Sequence, residues 1–236
     1  VTAYQYYNDK KYLYALDLYK KSLMLSDKIN KADIYYNIAL IYNLLSEGDN
    51  YLYYLHRTLD ERKDFWAVYE NIGMIYYSEK MYLIAKFMFE NAIKTGSPNV
   101  AILQKYINEI DKMQLSKLQI ETFNAAVSLL EKGNYNKATD IFNFLIKNRI
   151  MVDKIYKNIA VYHLKNNNYD KALVFFKKAH ETNKTQETYL NMAYVYYKLG
   201  EKNKSLRLLK EAMNIYRNDP NIINLYNQIK ATKKME

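Results

Sequence analysis

Apolar residues recur along this chain at the spacing of amphipathic helices, and the pattern itself repeats. Five segments align when they begin at Tyr35, Tyr69, Thr122, Tyr156 and Tyr189. These starts are 34, 53, 34 and 33 residues apart, and 53 equals one period of 34 plus an insertion of 19. Each segment has Asn two positions after its start and then an apolar residue followed by a small one: Ile38-Ala39, Ile72-Gly73, Ala125-Ala126, Ile159-Ala160 and Met192-Ala193.

A second helix is predicted in each segment after a short polar loop. It has a small residue, then an aromatic residue or Leu four positions later, and in most segments another small residue three positions after that. The clearest sets are Ala85-Phe89-Ala92, Ala138-Phe142-Leu145, Ala172-Phe176-Ala179 and Ser205-Leu209-Ala212. Small residues let two antiparallel helices approach closely. The sequence therefore predicts a series of stacked helical hairpins.

The insertion, NVAILQKYINEIDKMQLSK, has apolar residues at helical spacing and contains neither Gly nor Pro. We interpret it as an extra helix, for which two placements are open. Either it caps the first three hairpins, or it lies back in the groove of one half of the chain.

Composition excludes several other architectures. Only 5 Gly and 2 Pro occur in 236 residues, too few for the tight turns of a sandwich, barrel or doubly wound sheet. No two glycines have the spacing of a phosphate-binding loop. The absence of Cys excludes disulfides and thiol chemistry. No apolar run reaches the length of about 18 residues needed to span a membrane.

Charge is concentrated in the second half of the chain. Residues 1–118 hold 15 basic and 14 acidic residues, whereas residues 119–236 hold 20 and 11. The excess is consistent with a solvated lysine-rich surface, with acidic partner proteins or with anionic lipid headgroups in peripheral membrane contact. Nucleic acid is the least favoured partner because arginine is scarce.

No catalytic constellation is present. The three histidines, His56, His163 and His180, belong to no metal-binding or hydrolase motif, and His163 stands where three other segments have Tyr. We interpret His163 as a half-buried packing residue. The chain is predicted to be no enzyme and to use no cofactor, metal or small-molecule substrate.

The hairpin pattern resembles the tetratricopeptide repeat family, and the resemblance covers nearly the whole chain. It implies an all-α, right-handed α-solenoid of about six units, of the bacterial type from an AT-rich genome. The predicted modules are residues 1–98 (units 1–31, 32–65 and 66–98), an inserted helix or linker at 99–118, residues 119–219 (units 119–152, 153–185 and 186–219) and a capping helix at 220–236.

The resemblance also implies a concave groove lined by the first helices, in which a partner peptide or helix binds. On this sequence the groove residues would be Tyr36, Asn37, Leu40, Asn71, Met74, Tyr77, Phe123, Asn124, Val127, Leu130, Lys157, Asn158, Val161, Leu164, Lys165, Leu190, Asn191, Tyr194, Tyr197 and Lys198. The recurring Asn residues would form an amide ladder for an extended ligand, or are simply family consensus. The cations with which some family members clamp chaperone C-termini are missing from both modules.

The predicted function is a protein–protein interaction scaffold. The alternative is a structural or assembly subunit of an envelope or membrane-associated complex, acting through self-association, the inserted helix and the basic half. Val1 does not begin a signal-like segment, so we expect any export signal to lie upstream, and the compartment, cytoplasmic or periplasmic, stays open.

Overall fold

The helices of the computed structural model follow the predicted repeat. The structure describes residues 2–25 and 30–232, and in these ranges it contains helices and no strand. The all-α prediction is confirmed. The helices are α1 (Ala3–Asn8), α2 (Tyr12–Leu25), α3 (Lys31–Leu44), α4 (Gly48–Glu61), α5 (Trp66–Ser78), α6 (Tyr82–Lys94), α7 (Val100–Asp111), α8 (Leu115–Glu131), α9 (Tyr135–Lys147), α10 (Val152–Lys165), α11 (Tyr169–Thr182), α12 (Gln186–Lys198), α13 (Lys202–Ile215) and α14 (Pro220–Ala231).

The chain divides into two compact units, residues 1–122 and 123–236, and the division falls within α8. In unit 1, the hairpins α1–α2, α3–α4 and α5–α6 stack in chain order, through contacts of α2 with α3 and of α4 with α5. In unit 2, α10–α11 and α12–α13 stack in the same way, through α11 and α12. Each unit is thus a helical-repeat solenoid in which first and second helices alternate.

Each hairpin of the aligned segments turns through a residue in the left-handed conformation. These residues occupy one repeat position: Ser46 (φ 60°), Lys80 (φ 61°), Gly133 (φ 81°), Asn167 (φ 56°) and Gly200 (φ 77°). The next residue donates its N–H to the carbonyl five positions earlier, as Glu47 does to Tyr42 and Met81 to Tyr76. This geometry is a Schellman cap, which glycine adopts most easily. Because glycine is scarce, three of the five caps use other residues.

Small residues in the first helices are buried against the second helices. Ala39, Ala126, Ala160 and Ala193 are all 0% exposed. At the last of these, the Ser205 hydroxyl in α13 donates to the Ala193 carbonyl in α12 at 2.6 Å, a contact that needs two closely spaced backbones. The two helices of a hairpin therefore pack closely where these small residues lie, as predicted.

The insertion forms α7 and the beginning of α8. Residues 112–114 interrupt the helix, so the predicted inserted helix at 99–118 is shorter than its range. α7 buries Leu103, Ile107 and Ile110 and packs against α6, and the rings of Tyr106 and Phe89 stack with centroids 5.4 Å apart. This placement favours a cap on the first three hairpins.

At the other end, α14 packs against α13 and α12. Asp219 caps its N-terminus by accepting bonds from the N–H groups of Asn221 and Ile222, and Pro220 occupies the first turn. The helix ends at Ala231, whereas the predicted capping helix extends to 236, and residues 233–236 lie outside the described residues. The boundaries of the predicted modules stay predictions.

Candidate functional site

One repeat position places apolar side chains on the exposed surface of the first helices. We call these residues the apolar row: Leu40 and Met74 in unit 1, and Val127, Val161 and Tyr194 in unit 2. Leu40, Val127 and Val161 are half-buried, while Met74 is 44% and Tyr194 37% exposed. In a helical repeat of this kind, a row that remains exposed after the hairpins have packed is available to a ligand.

The asparagines form a second row, and two of them already bond within the chain. The Asn71 side-chain amide donates to the Tyr36 hydroxyl at 3.3 Å, and that of Asn158 donates to the Lys154 carbonyl at 2.8 Å. Asn37 and Asn191 are half-buried, and Asn124 is exposed. An amide ladder for a ligand would therefore have to replace the bond at Asn71 and the bond at Asn158.

A third row of predicted groove residues packs between helices. Leu130 is only 3% exposed. Leu164 packs against the core cluster that includes Phe176 and Met192, and Tyr197 packs against the cluster that includes Ile222 of α14. These side chains fill contacts between neighbouring helices, so we remove them from the candidate surface.

Tyr77 occupies the same repeat position and is engaged by α7. Its hydroxyl donates to a Glu109 carboxylate oxygen at 2.8 Å, and its ring meets that of Tyr106 edge-on with centroids 4.7 Å apart. The bond to Glu109, followed by desolvation, raises the pKa of Tyr77 to about 12. In unit 2, the Tyr197 hydroxyl lies 3.5 Å from that of Thr232, just after α14. Part of the predicted groove is thus covered by α7 in unit 1 and by α14 with Thr232 in unit 2.

The remaining apolar candidates pack partly within their own unit. The Tyr36 ring lies 4.7 Å from that of Phe65, centroid to centroid, and burial is the main cause that raises the Tyr36 pKa. The rings of Phe123 and Phe142 are 6.5 Å apart, and Leu190 packs against the α12–α14 core. The contact with Phe65 was missed by sequence reasoning because Phe65 lies in a loop outside the helical period.

Cations border the apolar row in unit 2. Lys157 forms an ion pair with Glu187 at 2.8 Å, which joins α10 to α12. Lys165 and Lys198 are exposed at equivalent repeat positions, and the Lys198 ammonium lies 5.4 Å from the centroid of the Tyr194 ring. The equivalent residue of α3 in unit 1 is Leu44, which is 50% exposed. The two units therefore present surfaces of different chemistry.

Residues 163–229 match a family model described as tetratricopeptide repeat. This segment runs from the end of α10 into α14 and includes the α12–α13 hairpin. This part of the chain is similar to a tetratricopeptide repeat. No curated protein matches the sequence of the chain.

Solved structures similar to this chain have low sequence identity to it. The TPR domain of P58(IPK) is 15% identical, with 97% of this chain and 62% of that chain covered and a TM-score of 0.41. The TPR2AB domain of yeast Sti1 in complex with pHSP90 is 16% identical, with coverages of 97% and 95% and a TM-score of 0.40. YrrB, described as a TPR protein with an unusual peptide-binding site, is 17% identical, with coverages of 90% and 99% and a TM-score of 0.37. The chain thus spans less than two thirds of the P58(IPK) structure.

His163 has the environment of a packing residue, and it is more buried than predicted. It is 5% exposed, and its ring stacks on that of Phe175 with centroids 5.6 Å apart. Within the described residues, neither ring nitrogen has a hydrogen-bond partner. Desolvation, with a smaller effect from Lys171, lowers the His163 pKa below its usual value.

The described residues include no group of three or more His, Asp or Glu side chains placed to hold a metal ion. Nor does any helix in this part of the chain have the length and apolar character needed to cross a membrane. Among the predicted groove residues, the apolar row and the polar residues beside it stay at least partly exposed.

Proposed function

We propose that this chain is a non-catalytic interaction scaffold of the tetratricopeptide repeat type, whose main binding surface lies on the first helices of unit 2. The observation that carries the proposal is the partly exposed pair Val161 and Tyr194 of the apolar row, with the exposed Lys165 and Lys198 at its edge. Apolar side chains held beside a few polar groups are typical of protein-binding surfaces.

The ion pair between Lys157 and Glu187 supports this surface because it holds α10 beside α12. Val161 and Tyr194 occupy the same repeat position on these two helices, so the apolar row continues from one to the next. The helices are already folded and packed, and binding would therefore order few receptor side chains. A low ordering cost favours affinity.

The partner that fits this surface is a peptide or helix with apolar side chains. Val161 and Tyr194 would contact those side chains, while the amides of Asn158 and Asn191 would bond its backbone. Of the three row asparagines in unit 2, Asn158 and Asn191 are half-buried and Asn124 is exposed.

The experiment selects peptides from a random phage-displayed library on the full chain and measures their affinity by calorimetry. Replacing Val161→Ser together with Tyr194→Ala should weaken a selected peptide by about tenfold or more, as expected for central interface residues. Both side chains are partly exposed, and circular dichroism should show an unchanged fold.

Val174→Ser is the matched control. Val174 is 51% exposed, but it lies on the second helix α11 and not on a first helix. This substitution should leave peptide affinity unchanged. The proposal would be contradicted if the library contained no binding peptide. It would also be contradicted if a selected peptide bound the Val161→Ser, Tyr194→Ala variant as tightly as the parent chain.

A second candidate function is an assembly subunit that self-associates. It is favoured by the exposed apolar side chains of α2, where Leu13 is 69% and Tyr14 66% exposed, and of α7, where Ile102 is 58% exposed. Light scattering across a range of protein concentrations distinguishes the two functions. A scaffold that only binds peptides stays monomeric, whereas self-association raises the mass with concentration, and Leu13→Ser with Ile102→Ser should then abolish the rise.

A further inference from the structure

The second helices α11 and α13 of unit 2 carry exposed cations. We call this set the basic face: Lys171, Lys177 and Lys178 of α11, and Lys204, Arg207 and Lys210 of α13. All six residues are exposed. The groove proposed above uses none of them.

The cations recur at the same positions in consecutive repeats. Lys171 and Lys204 each come directly before the buried small residue of their helix, Ala172 or Ser205. Five positions after that small residue come Lys177 and Lys210. Because hairpins stack in register, this recurrence places cations side by side on neighbouring second helices.

The structure brings cations from both helices to one aromatic ring. The ammonium groups of Lys177 and Lys204 lie 5.7 Å and 5.8 Å from the centroid of Tyr196 in α12. These contacts place one cation of each second helix beside the same side chain, so the positive charge of α11 continues onto α13. The arrangement therefore favours an anionic partner.

The acidic side chains in and just before α13 are both already bonded. Glu211, the single carboxylate of α13, accepts a bond from the Tyr189 hydroxyl at 2.8 Å. Glu201, which precedes α13, pairs with Lys204. The four cations of α13, which are Lys202, Lys204, Arg207 and Lys210, therefore exceed its negative charge.

We propose that the basic face binds the surface of a membrane rich in anionic lipids. Five of its six cations are Lys, whose compact ammonium acts as a point charge toward phosphate and carboxylate headgroups. Clusters of four to eight cations on a helical surface are typical of contacts with anionic lipids. Val174 stands between Lys171 and Lys177 and is 51% exposed, so an aliphatic side chain is available to the headgroup boundary.

Nucleic acid is a poorer fit because Arg207 is the one arginine of the basic face, and arginine is the usual reader of bases and stacked partner of nucleic acids. An acidic protein is a poorer fit because the cations are spread over two helices and do not line a groove. The experiment includes both as outcomes.

The test measures co-sedimentation of the full chain with vesicles of phosphatidylcholine, with and without phosphatidylserine. We expect binding only when phosphatidylserine is present, and weaker binding as salt is raised. Lys177→Gln with Lys210→Gln should weaken binding by about 25-fold, or about fivefold for each lysine. Lys105→Gln in α7, together with Lys112→Gln just after it, removes the same charge elsewhere and should have little effect.

Three outcomes would overturn the proposal. Equal losses in both double variants would mean that net charge, and not the basic face, determines binding. Equal binding to vesicles with and without phosphatidylserine would exclude recognition of anionic lipid. Binding to immobilised polyglutamate or to single-stranded DNA, without binding to phosphatidylserine vesicles, would assign the face to an acidic protein or to nucleic acid.

Discussion

The ring of Phe89 in α6 lies directly against Gly73 in α5. A Cβ atom added to Gly73 would stand 2.5 Å from Cε1 of Phe89 and 2.6 Å from its Cδ1. Phe89 is 0% exposed, and its ring also stacks on that of Tyr106 in α7, so it has little freedom to withdraw. Glycine is thus required here for space inside a helix, at a position where the other aligned segments have Ala.

Gly73→Ala should therefore destabilise the protein. Alanine favours the helix by about 1 kcal/mol relative to glycine, but overpacking costs about 1–3 kcal/mol, and the rigid ring makes the second effect larger. The midpoint of urea unfolding should fall. In the background of Phe89→Leu, which removes the obstructing ring atoms, Gly73→Ala should cost less, and additive effects of the two changes would contradict the contact.

Lys80→Gly should stabilise the protein by about 0.5–1 kcal/mol. Lys80 has φ 61° in the cap between α5 and α6, a conformation that costs an L-residue energy and glycine almost none. The gain is reduced because glycine also makes the unfolded chain more flexible. Thermal unfolding followed by circular dichroism measures the change.

Gly200→Ala tests the same principle in the opposite direction. Gly200 has φ 77° and no atom within 4 Å of an added Cβ, so only the backbone conformation opposes the substitution. We expect a loss of about 1 kcal/mol. A gain in stability for Gly200→Ala, or a loss for Lys80→Gly, would contradict the assigned cap geometry.

His163 should make the protein less stable in mild acid. Burial lowers its pKa in the folded state, whereas in the unfolded chain the pKa is about 6.5. The unfolded state therefore binds a proton more readily, and the stabilising effect of the neutral ring is present above pH 6.5. It is lost as the pH falls from that value toward the folded-state pKa.

His163→Phe keeps a ring against Phe175 and removes the titrating group. Urea midpoints measured between about pH 7 and pH 5 should fall less steeply for this variant than for the parent chain. Some dependence should remain, because the pKa of His180 is also lowered, mainly by desolvation. Identical slopes for variant and parent would show that His163 titrates normally in the folded protein.

Much of the fold could be predicted from the spacing of residues. The period of 33 to 34 residues located the paired helices, and the small residues at Ala160 and Ala193 marked where two backbones approach. These predictions succeeded because helix pairing depends on local periodicity and on side-chain size, and both can be read from one short segment of sequence. The pattern in a single segment is weak, but its recurrence in five segments made it clear.

The candidate site was harder to predict from the spacing of residues. Tyr77 and Tyr197 align with each other and look like groove residues, yet a later helix covers each of them. Asn71 belongs to a regular row of amides, but its own partner is the Tyr36 hydroxyl. The repeat alignment identifies equivalent side chains. It does not predict which residues of other helices will contact them.

By itself, the sequence determined an all-helical protein of stacked hairpins, with scarce glycine and a basic second half. Only the tertiary structure decided which first-helix side chains remain exposed and where α7 and α14 pack. It also brought Lys177 and Lys204 to the ring of Tyr196. The physical reason is that hairpin formation follows short-range patterns, whereas exposure and charge juxtaposition depend on residues far apart in the chain that packing brings together.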